Sequence, residues 1–363
     1  MEQEKLIKIL MKNTYVNFLL GAGASFKEVV GKTHFPLMKD LLEYVKAAKE
    51  VKEFYYTLDD YEVTPTNIGF MVKTLYDTYL FADGSNIERF LSVLEGIDLY
   101  IGDEKFLAKV QEQRNTIKKL IRDRLNASDS ETVLANYVSF YKGLQTLLEI
   151  NGLKNQTFNI FTTNYDMMNE TAMEELNIHY YSGFEGVVKR RFNLAYYNYD
   201  FVDTFLVNRA KVSVTPNHMN LFKLHGSLSW YVNEKNELIE RNPCENDFIP
   251  EIVYPSVDKF DNTNLIISYS ALMREFSNRL CKDNTTLFVT GTSMGDEHIN
   301  KIIENALTIE TFHLVVFCAT KDLISQLKEK YKIYKNVIIV DEVYSFEAIA
   351  GFMQSLQGGE DNA

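Results

Sequence analysis

Tyr15-Val16-Asn17-Phe18-Leu19-Leu20-Gly21-Ala22-Gly23-Ala24-Ser25-Phe26 is the stretch on which the reading of the fold turns. Its first six residues are mostly apolar and read as a buried strand, and a glycine-rich turn follows at once. Residues 1–12, just before it, read as a short helix. Glycines let a backbone approach a pyrophosphate, and N–H groups at the start of a following helix face negative charge. The spacing is short of the full G-x-G-x-x-G, and no acidic residue is clearly placed about 20 positions on. Taken alone, the stretch reads as well as a tight structural turn.

Working outward, strand signals resume at Thr157–Thr162 and recur at Leu221–Leu224, Thr286–Thr290, Leu314–Phe317 and Val337–Val340. Helical stretches at about 297–309 and 321–331 separate the last three. Short apolar strands alternating with helices predict a parallel sheet covered on both faces. Between the first strand and the rest, residues 37–150 carry helical periodicity. Val133, Tyr137, Phe140, Leu144, Leu147 and Leu148 make one stripe, and Ile87, Phe90, Leu91 and Leu94 another. Both stripes read as core-facing helix surface. Breaks fall at Thr64-Pro65-Thr66, at 82–85 and at 127–130. The aromatic stretch 178–205 holds candidate short strands. The expected fold class is α/β, a Rossmann-like doubly wound parallel sheet with a large inserted helical block. The expected organisation is one domain over 1–363, with the sheet from 13–36 and 151–345 and the insertion at about 37–150.

Composition agrees with a packed globular chain. The protein has 363 residues, 46% hydrophobic and 24% charged, with 6 Pro and 17 Gly, which excludes disordered, collagen-like and disulfide-scaffold classes. Lys plus Arg is 38 against 50 Asp plus Glu, a formal charge of −12. That balance argues against bulk attraction to nucleic acid or an anionic membrane, and leaves anionic ligands to backbone N–H groups and helix ends. Cys244, Cys281 and Cys318 form no C-x-x-C pair, so no zinc ribbon is available and no metal is expected. No apolar run approaches the roughly 18 residues of a membrane span. Glu2, Glu4 and Lys12-Asn13-Thr14 break any resemblance to a signal peptide. The expectation is a soluble cytoplasmic protein.

Four segments carry candidate chemistry. The first is the Gly21–Ser25 turn with Phe26. The second, Thr162-Thr163-Asn164-Tyr165-Asp166, lies at the carboxyl end of a strand, where open α/β sheets bind ligands. Asp166 alone reads best as an Asx-type cap, whereas Asn164 has no such simple role. The third is Lys223-Leu224-His225-Gly226-Ser227-Leu228. A lone histidine is more often structural, but a strand's carboxyl end raises the functional reading of His225. Histidines 34, 179, 218, 298 and 313 lack that setting, and Asp296 with His298 lacks a third metal ligand. The fourth runs Val289–Asn300, where Gly291, Thr292 and Ser293 form a turn and Asp296 reads best as a helix cap. A Walker lysine and a G-x-S-x-G elbow are both missing, which argues against nucleoside-triphosphate hydrolysis and an α/β-hydrolase.

In order, G-A-G-x-S at Gly21–Ser25, T-x-N-x-D at Thr162–Asp166, His225-Gly226 and Gly291-Thr292-Ser293 resemble the sirtuin-like superfamily. The resemblance touches both ends of the chain and leaves out the helical block. Protein-deacylating sirtuins carry G-I-P-D-F-R soon after the first turn and four zinc cysteines. Here that region reads Lys27-Glu28-Val29-Val30-Gly31-Lys32-Thr33-His34-Phe35-Pro36, and the chain has three cysteines in all. What remains is similar to the bacterial branch that cleaves NAD without a protein substrate, several members of which are anti-phage effectors.

The resemblance implies NAD as substrate and no further cofactor. It implies that Asn164 holds the nicotinamide ribose or orients water, and that His225 acts as base or hydrogen-bond partner to a ribose hydroxyl. Asp166 is implied to accept from the carboxamide. The Gly21-Ala22-Gly23-Ala24-Ser25 turn would cradle the pyrophosphate, Thr292 and Ser293 would meet the adenosine half, and Phe26, Thr162, Thr163, Gly226, Gly291 and Asp296 would also bind NAD. An NADase must be gated, so a homo-oligomer or a partner such as a HerA-type hexameric ATPase is expected. The alternatives are a nucleotide-sensing module without turnover, use of NADP, and an NAD-dependent deacylase.

Overall fold

β1 (Tyr15–Leu20) forms where the sequence places it and is buried from Val16 onward. The computed structural model describes residues 2–26, 35–60, 68–126, 130–149, 157–202, 218–242, 245, 248–252 and 263–355. The segment 27–34, the breaks at 64–66 and 127–129, Phe205, Cys244 and the tail 358–363 lie outside the described residues. The chain forms two compact units, one of residues 1–27, 130–224 and 267–363, the other of 28–129 and 225–266.

The strands that follow β1 are β2 (Phe158–Thr162), β3 (His179–Tyr181), β4 (Phe184–Glu185), β5 (Arg190–Phe192), β6 (His218–Lys223), β7 (Trp230–Val232), β8 (Leu238–Glu240), β9 (Thr285–Thr290), β10 (His313–Cys318) and β11 (Val337–Val343). The helices are α1 (Glu2–Asn13), α2 (Met38–Ala47), α3 (Lys49–Thr57), α4 (Ile68–Leu75), α5 (Ile87–Gly96), α6 (Glu104–Asn126), α7 (Ser130–Glu149), α8 (Met168–Glu175), α9 (Thr263–Leu280), α10 (Glu297–Ala306), α11 (Lys321–Lys330) and α12 (Phe346–Ser355). The helical stretch 37–150 therefore divides: α2–α6 belong to the second unit and α7 to the first.

In the first unit seven strands make one sheet in the order β11-β10-β9-β1-β2-β6-β3. Every pair is parallel. This is the doubly wound α/β class read from the sequence. The chain leaves β1 for β2, β6 and β3 on one side, then returns to β9 on the other. That reversal makes β1 the switch point, with β2 and β9 as its neighbours, and ligands in such sheets sit outside the carboxyl ends there.

Side-chain alternation assigns the two faces. Phe18 stacks on Phe288 and meets Phe140 of α7 edge-on at 5.3 Å. Phe161 stacks on Phe222 at 4.6 Å and meets Phe276 of α9 at 4.7 Å. The whole α7 stripe is buried, Tyr137 included.

The α9 face also holds polar groups that the apolar pattern did not announce. Asn17, Asn159 and Asn220 stand side by side on β1, β2 and β6 in register. Asn220 Nδ2 donates to Asn159 Oδ1 at 3.0 Å, and Asn159 Nδ2 donates to Asn17 Oδ1 at 2.8 Å. Arg279 of α9 donates to Asn159 Oδ1 at 3.1 Å and to the Tyr197 carbonyl at 3.2 Å. A one-residue slip of any strand would bury these amides without partners, so the row pins the register.

In the second unit the α5 stripe of Ile87, Phe90, Leu91 and Leu94 is buried, and β7 pairs antiparallel with β8. Buried Lys118 of α6 lies 3.3 Å from Glu95 and 3.5 Å from Glu251. Burial works against its charge, but Glu251 and then Glu95 outweigh it and raise its pKa above 10.5. Arg122 donates to the Phe248 carbonyl at 2.9 Å, so α6 secures the segment that runs through 248–251.

The asparagine row is testable by urea denaturation. Asn159→Leu strands two amides and part of a guanidinium, and is expected to cost about 2–4 kcal/mol. A loss below about 0.5 kcal/mol would show that the row does not hold the sheet.

Candidate functional site

The turns that close β1 and β9 interlock through backbone. Gly21 N–H donates to the Thr290 carbonyl at 3.0 Å and Gly23 N–H to the Gly291 carbonyl at 2.7 Å. A Cβ on Gly21 would stand 2.5 Å from the Gly291 oxygen, and one on Gly291 would collide with Ala24 N. Gly291 also has φ +70°, which side chains rarely adopt. The glycines are therefore required by the approach of one turn to the other. Ala24, Ser25 and Phe26 donate their amides to Gly21, Ala22 and Gly23 in a short 3₁₀ turn, so those N–H groups are spent inside the protein.

That turn delivers Ser25 to the end of β2. The Ser25 hydroxyl donates to Asp166 Oδ2 at 2.8 Å, and Asp166 Oδ1 accepts from Met168 N–H at 3.0 Å. Asn164 Nδ2 donates to Ser25 Oγ at 3.1 Å and to the Tyr137 hydroxyl at 3.2 Å. Tyr137 and Ser25 hydroxyls are 2.8 Å apart. With the Ser25 proton committed to Asp166, the Tyr137 hydroxyl is the donor of that pair. Thr162 Oγ1 accepts from Asn164 N–H at 3.0 Å and itself donates to the Leu20 carbonyl at 2.9 Å. Thr163 N–H donates to the same carbonyl at 3.2 Å. Asn164 is 2% exposed, yet its Oδ1 has no hydrogen-bond partner. A buried, unpaired acceptor is uncommon and costly, and a ligand donor or water would satisfy it.

Lys223, at the end of β6, enters from the same face. Its ammonium donates to the Asp166 carbonyl and to Glu170 Oε1 at 2.9 Å. One cation thus bonds the Glu170 carboxylate and the main chain beside the Asp166 carboxylate. Burial raises the Asp166 carboxyl above 3.8, against the pull of Lys223, Met168 N–H and Ser25. Burial likewise raises Glu170 above 4.5, again opposed by Lys223. Burial, and then the Asp166 charge, keep the Tyr137 phenol well above 10.0, so it remains a donor through the working pH range.

The remaining expected residues divide as follows. Thr292 Oγ1 accepts from Met294 N–H at 3.1 Å, and Ser293 is exposed beside it. Asp296 Oδ1 accepts from His298 and Ile299 N–H at 2.8 and 3.0 Å, the capping role that suits it as a single residue. Phe26 is exposed at 37%. In the second unit His225 is buried, and Gly226, at φ +92°, bridges to Ile252. His225 Nδ1 lies 3.3 Å from Glu88 Oε1, a carboxylate on α5. Sequence reading did not flag Glu88; 137 residues separate the two, and an acidic first-turn residue is ordinary in a helix. It also took Tyr137 and Lys223 as core and flank, because periodicity reports burial and not the partner of a hydroxyl or ammonium. Among the described residues no group of three or more His, Cys, Asp or Glu is placed to hold a metal ion. No helix among them is long and apolar enough to cross a membrane.

Residues 159–338 match the family of the SIR2-like domain. The match runs from β2 into β11 and takes in the Thr162–Asp166, His225-Gly226 and Gly291–Ser293 segments, while β1 and its glycine turn lie before it. The match covers just under half of the chain and supports a sirtuin-like family. No curated protein matches the chain.

The raised Asp166 pKa gives a signed prediction. Because the folded value exceeds 3.8, ionising Asp166 opposes folding, and wild-type stability falls as pH rises from 3.8 through the raised value. Asp166→Asn has no such proton to lose. Urea midpoints at about pH 4.5 and about pH 7.5 are expected to shift the stability difference in the variant's favour at the higher pH. A difference that is constant or moves the other way would contradict the assignment.

Proposed function

We propose that this SIR2-like domain is an NAD glycohydrolase that yields nicotinamide and ADP-ribose. SIR2-like domains act on NAD, and the observation that carries the hydrolytic reading is the unpaired Asn164 Oδ1, buried at the switch point. Nicotinamide leaves as a neutral molecule from a cationic glycosidic bond, so no general acid is needed. The transition state is an oxocarbenium-like ribose, and the enzyme must hold that ribose and deliver water to its anomeric carbon. An acceptor suits both tasks: Asn164 Oδ1 would take a proton of the water or of a ribose hydroxyl.

His225, whose Nδ1 lies 3.3 Å from Glu88, would serve, as the resemblance implies, as base or hydrogen-bond partner toward a ribose hydroxyl. Both Asp166 oxygens already accept within the protein, so its part is to hold Ser25, more than to meet the carboxamide directly. The pyrophosphate would lie over the Gly21–Ser25 turn, with Thr292 and Ser293 toward the adenosine half. The turn's spent amides mean that its glycines contribute close approach, more than a full ring of N–H donors.

The chain has three cysteines where a deacylase of this superfamily carries four on zinc, which favours hydrolysis over deacylation. An NADase loose in its own cytoplasm would be lethal. The reading therefore includes gating, by a homo-oligomer or by a partner such as a HerA-type ATPase, in anti-phage defence.

Incubation of the purified protein with NAD under activating conditions, followed by chromatography, tests the reading. Nicotinamide and ADP-ribose are expected, and Asn164→Ala and His225→Ala are each expected to lower kcat/KM on the order of 10²-fold or more. Tight ADP-ribose binding with no product would favour a sensing module. NAD consumption that both variants retain would overturn the site.

A further inference from the structure

We infer that Tyr137 is a positioning residue whose hydroxyl, with that of Ser25, locks the Asn164 amide in the one orientation that presents Oδ1 to a ligand. The inference rests on the hydrolytic reading for its kinetic consequence, but its geometry stands apart from it. Tyr137 is fully buried on α7, and its ring is packed against Phe346 of α12 at 4.8 Å. Neither helix belongs to the sirtuin-like motifs, and in the sequence Tyr137 reads as one more member of an apolar stripe.

The lock follows from counting protons. Ser25 has one, and Asp166 Oδ2 takes it. Tyr137 has one, and Ser25 Oγ takes it. Ser25 Oγ and the Tyr137 oxygen are then both acceptors toward Asn164, and both protons of Nδ2 are used, at 3.1 and 3.2 Å. Turning the amide over would set Oδ1 at 3.1 Å from Ser25 Oγ with no proton between them. The only proton left for Oδ1 would be that of Tyr137, and taking it would in turn strip the Ser25–Tyr137 contact. The amide therefore has one satisfied orientation, and in it Oδ1 is the atom left without a partner. Removing the Tyr137 hydroxyl frees one Nδ2 proton and one constraint, and the acceptor loses its fixed direction. Misdirection of a group that touches the reacting atoms is felt in the chemical step more than in binding.

Tyr137→Phe keeps the ring and deletes only the oxygen. Its expected effect is a fall in kcat of roughly 10–50-fold with KM within about threefold. In an Asn164→Ala background the same substitution is expected to change kcat by less than about twofold, because its route to the reaction is gone. A second measurement needs no activity. With side-chain amides of asparagine labelled with ¹⁵N, the Asn164 pair, identified by its loss in Asn164→Ala, is expected to be protected from hydrogen exchange in the wild-type protein. Tyr137→Phe and Ser25→Ala should each speed that exchange by about tenfold or more.

A Tyr137→Phe enzyme with wild-type kcat, where Asn164→Ala is inactive, would overturn the inference and leave the hydrolytic reading standing. Wild-type exchange as fast as that of an exposed amide would overturn it even if Tyr137→Phe does not fold. If the wild-type protein cleaves no NAD under activating conditions, the hydrolytic reading falls and the exchange result alone decides whether the lock exists.

Discussion

The hydrogen bond from Ser25 to the buried Asp166 carboxylate is the joint on which the carboxyl edge of the sheet depends. It ties the turn after β1 to the turn after β2, across the switch point. Burying a carboxylate there is costly, and its raised pKa records that cost. Met168 N–H and the Lys223 ammonium, the latter through the Asp166 main chain and its charge, offset part of it. The glycines are a consequence of the same joint. Ser25 reaches Asp166 only if its turn lies against Gly291, and Gly21, Gly23 and Gly291 are the residues that permit that approach.

The proposed site is an ordered set of donors that ends in one unpaired acceptor. The order holds while Asp166 is ionised, since a protonated carboxyl would return a hydrogen to Ser25 and remove the reason for Asn164 to face one way. An acceptor at the carboxyl end of a parallel sheet suits a neutral water or ribose hydroxyl. An acyl-transfer site would instead need donors aimed at an oxyanion. That distinction is chemical, and it favours the proposed hydrolysis of a glycosidic bond over the esterase and phosphatase chemistries that other α/β sheets support.

Much of the first unit was legible in the sequence because parallel strands buried on both faces read as short apolar runs. β1, β2, β9, β10 and β11 form within a few residues of those runs, and β6 begins three residues before its run, at His218. Of the motif turns, those after β1, β2 and β9 meet at strand ends within the first unit. The polar interior was not legible. Asn17, Asn159 and Asn220 look like interruptions in apolar strands until the register aligns them. Tyr137 lies 112 residues from Ser25 and Lys223 lies 53 from Glu170, so no local pattern links them. Periodicity reports which face is buried, whereas hydrogen-bond partners depend on topology. The same limit hid Glu88 beside His225.

The most direct measurement is a crystal structure with a slowly cleaved NAD analogue bound. The account predicts ligand at the carboxyl ends of β1, β2 and β9, with a ribose hydroxyl or an ordered water donating to Asn164 Oδ1 and the Ser25–Asp166 bond intact. A ligand bound elsewhere, or an Asn164 amide turned so that Oδ1 faces Ser25, would contradict it.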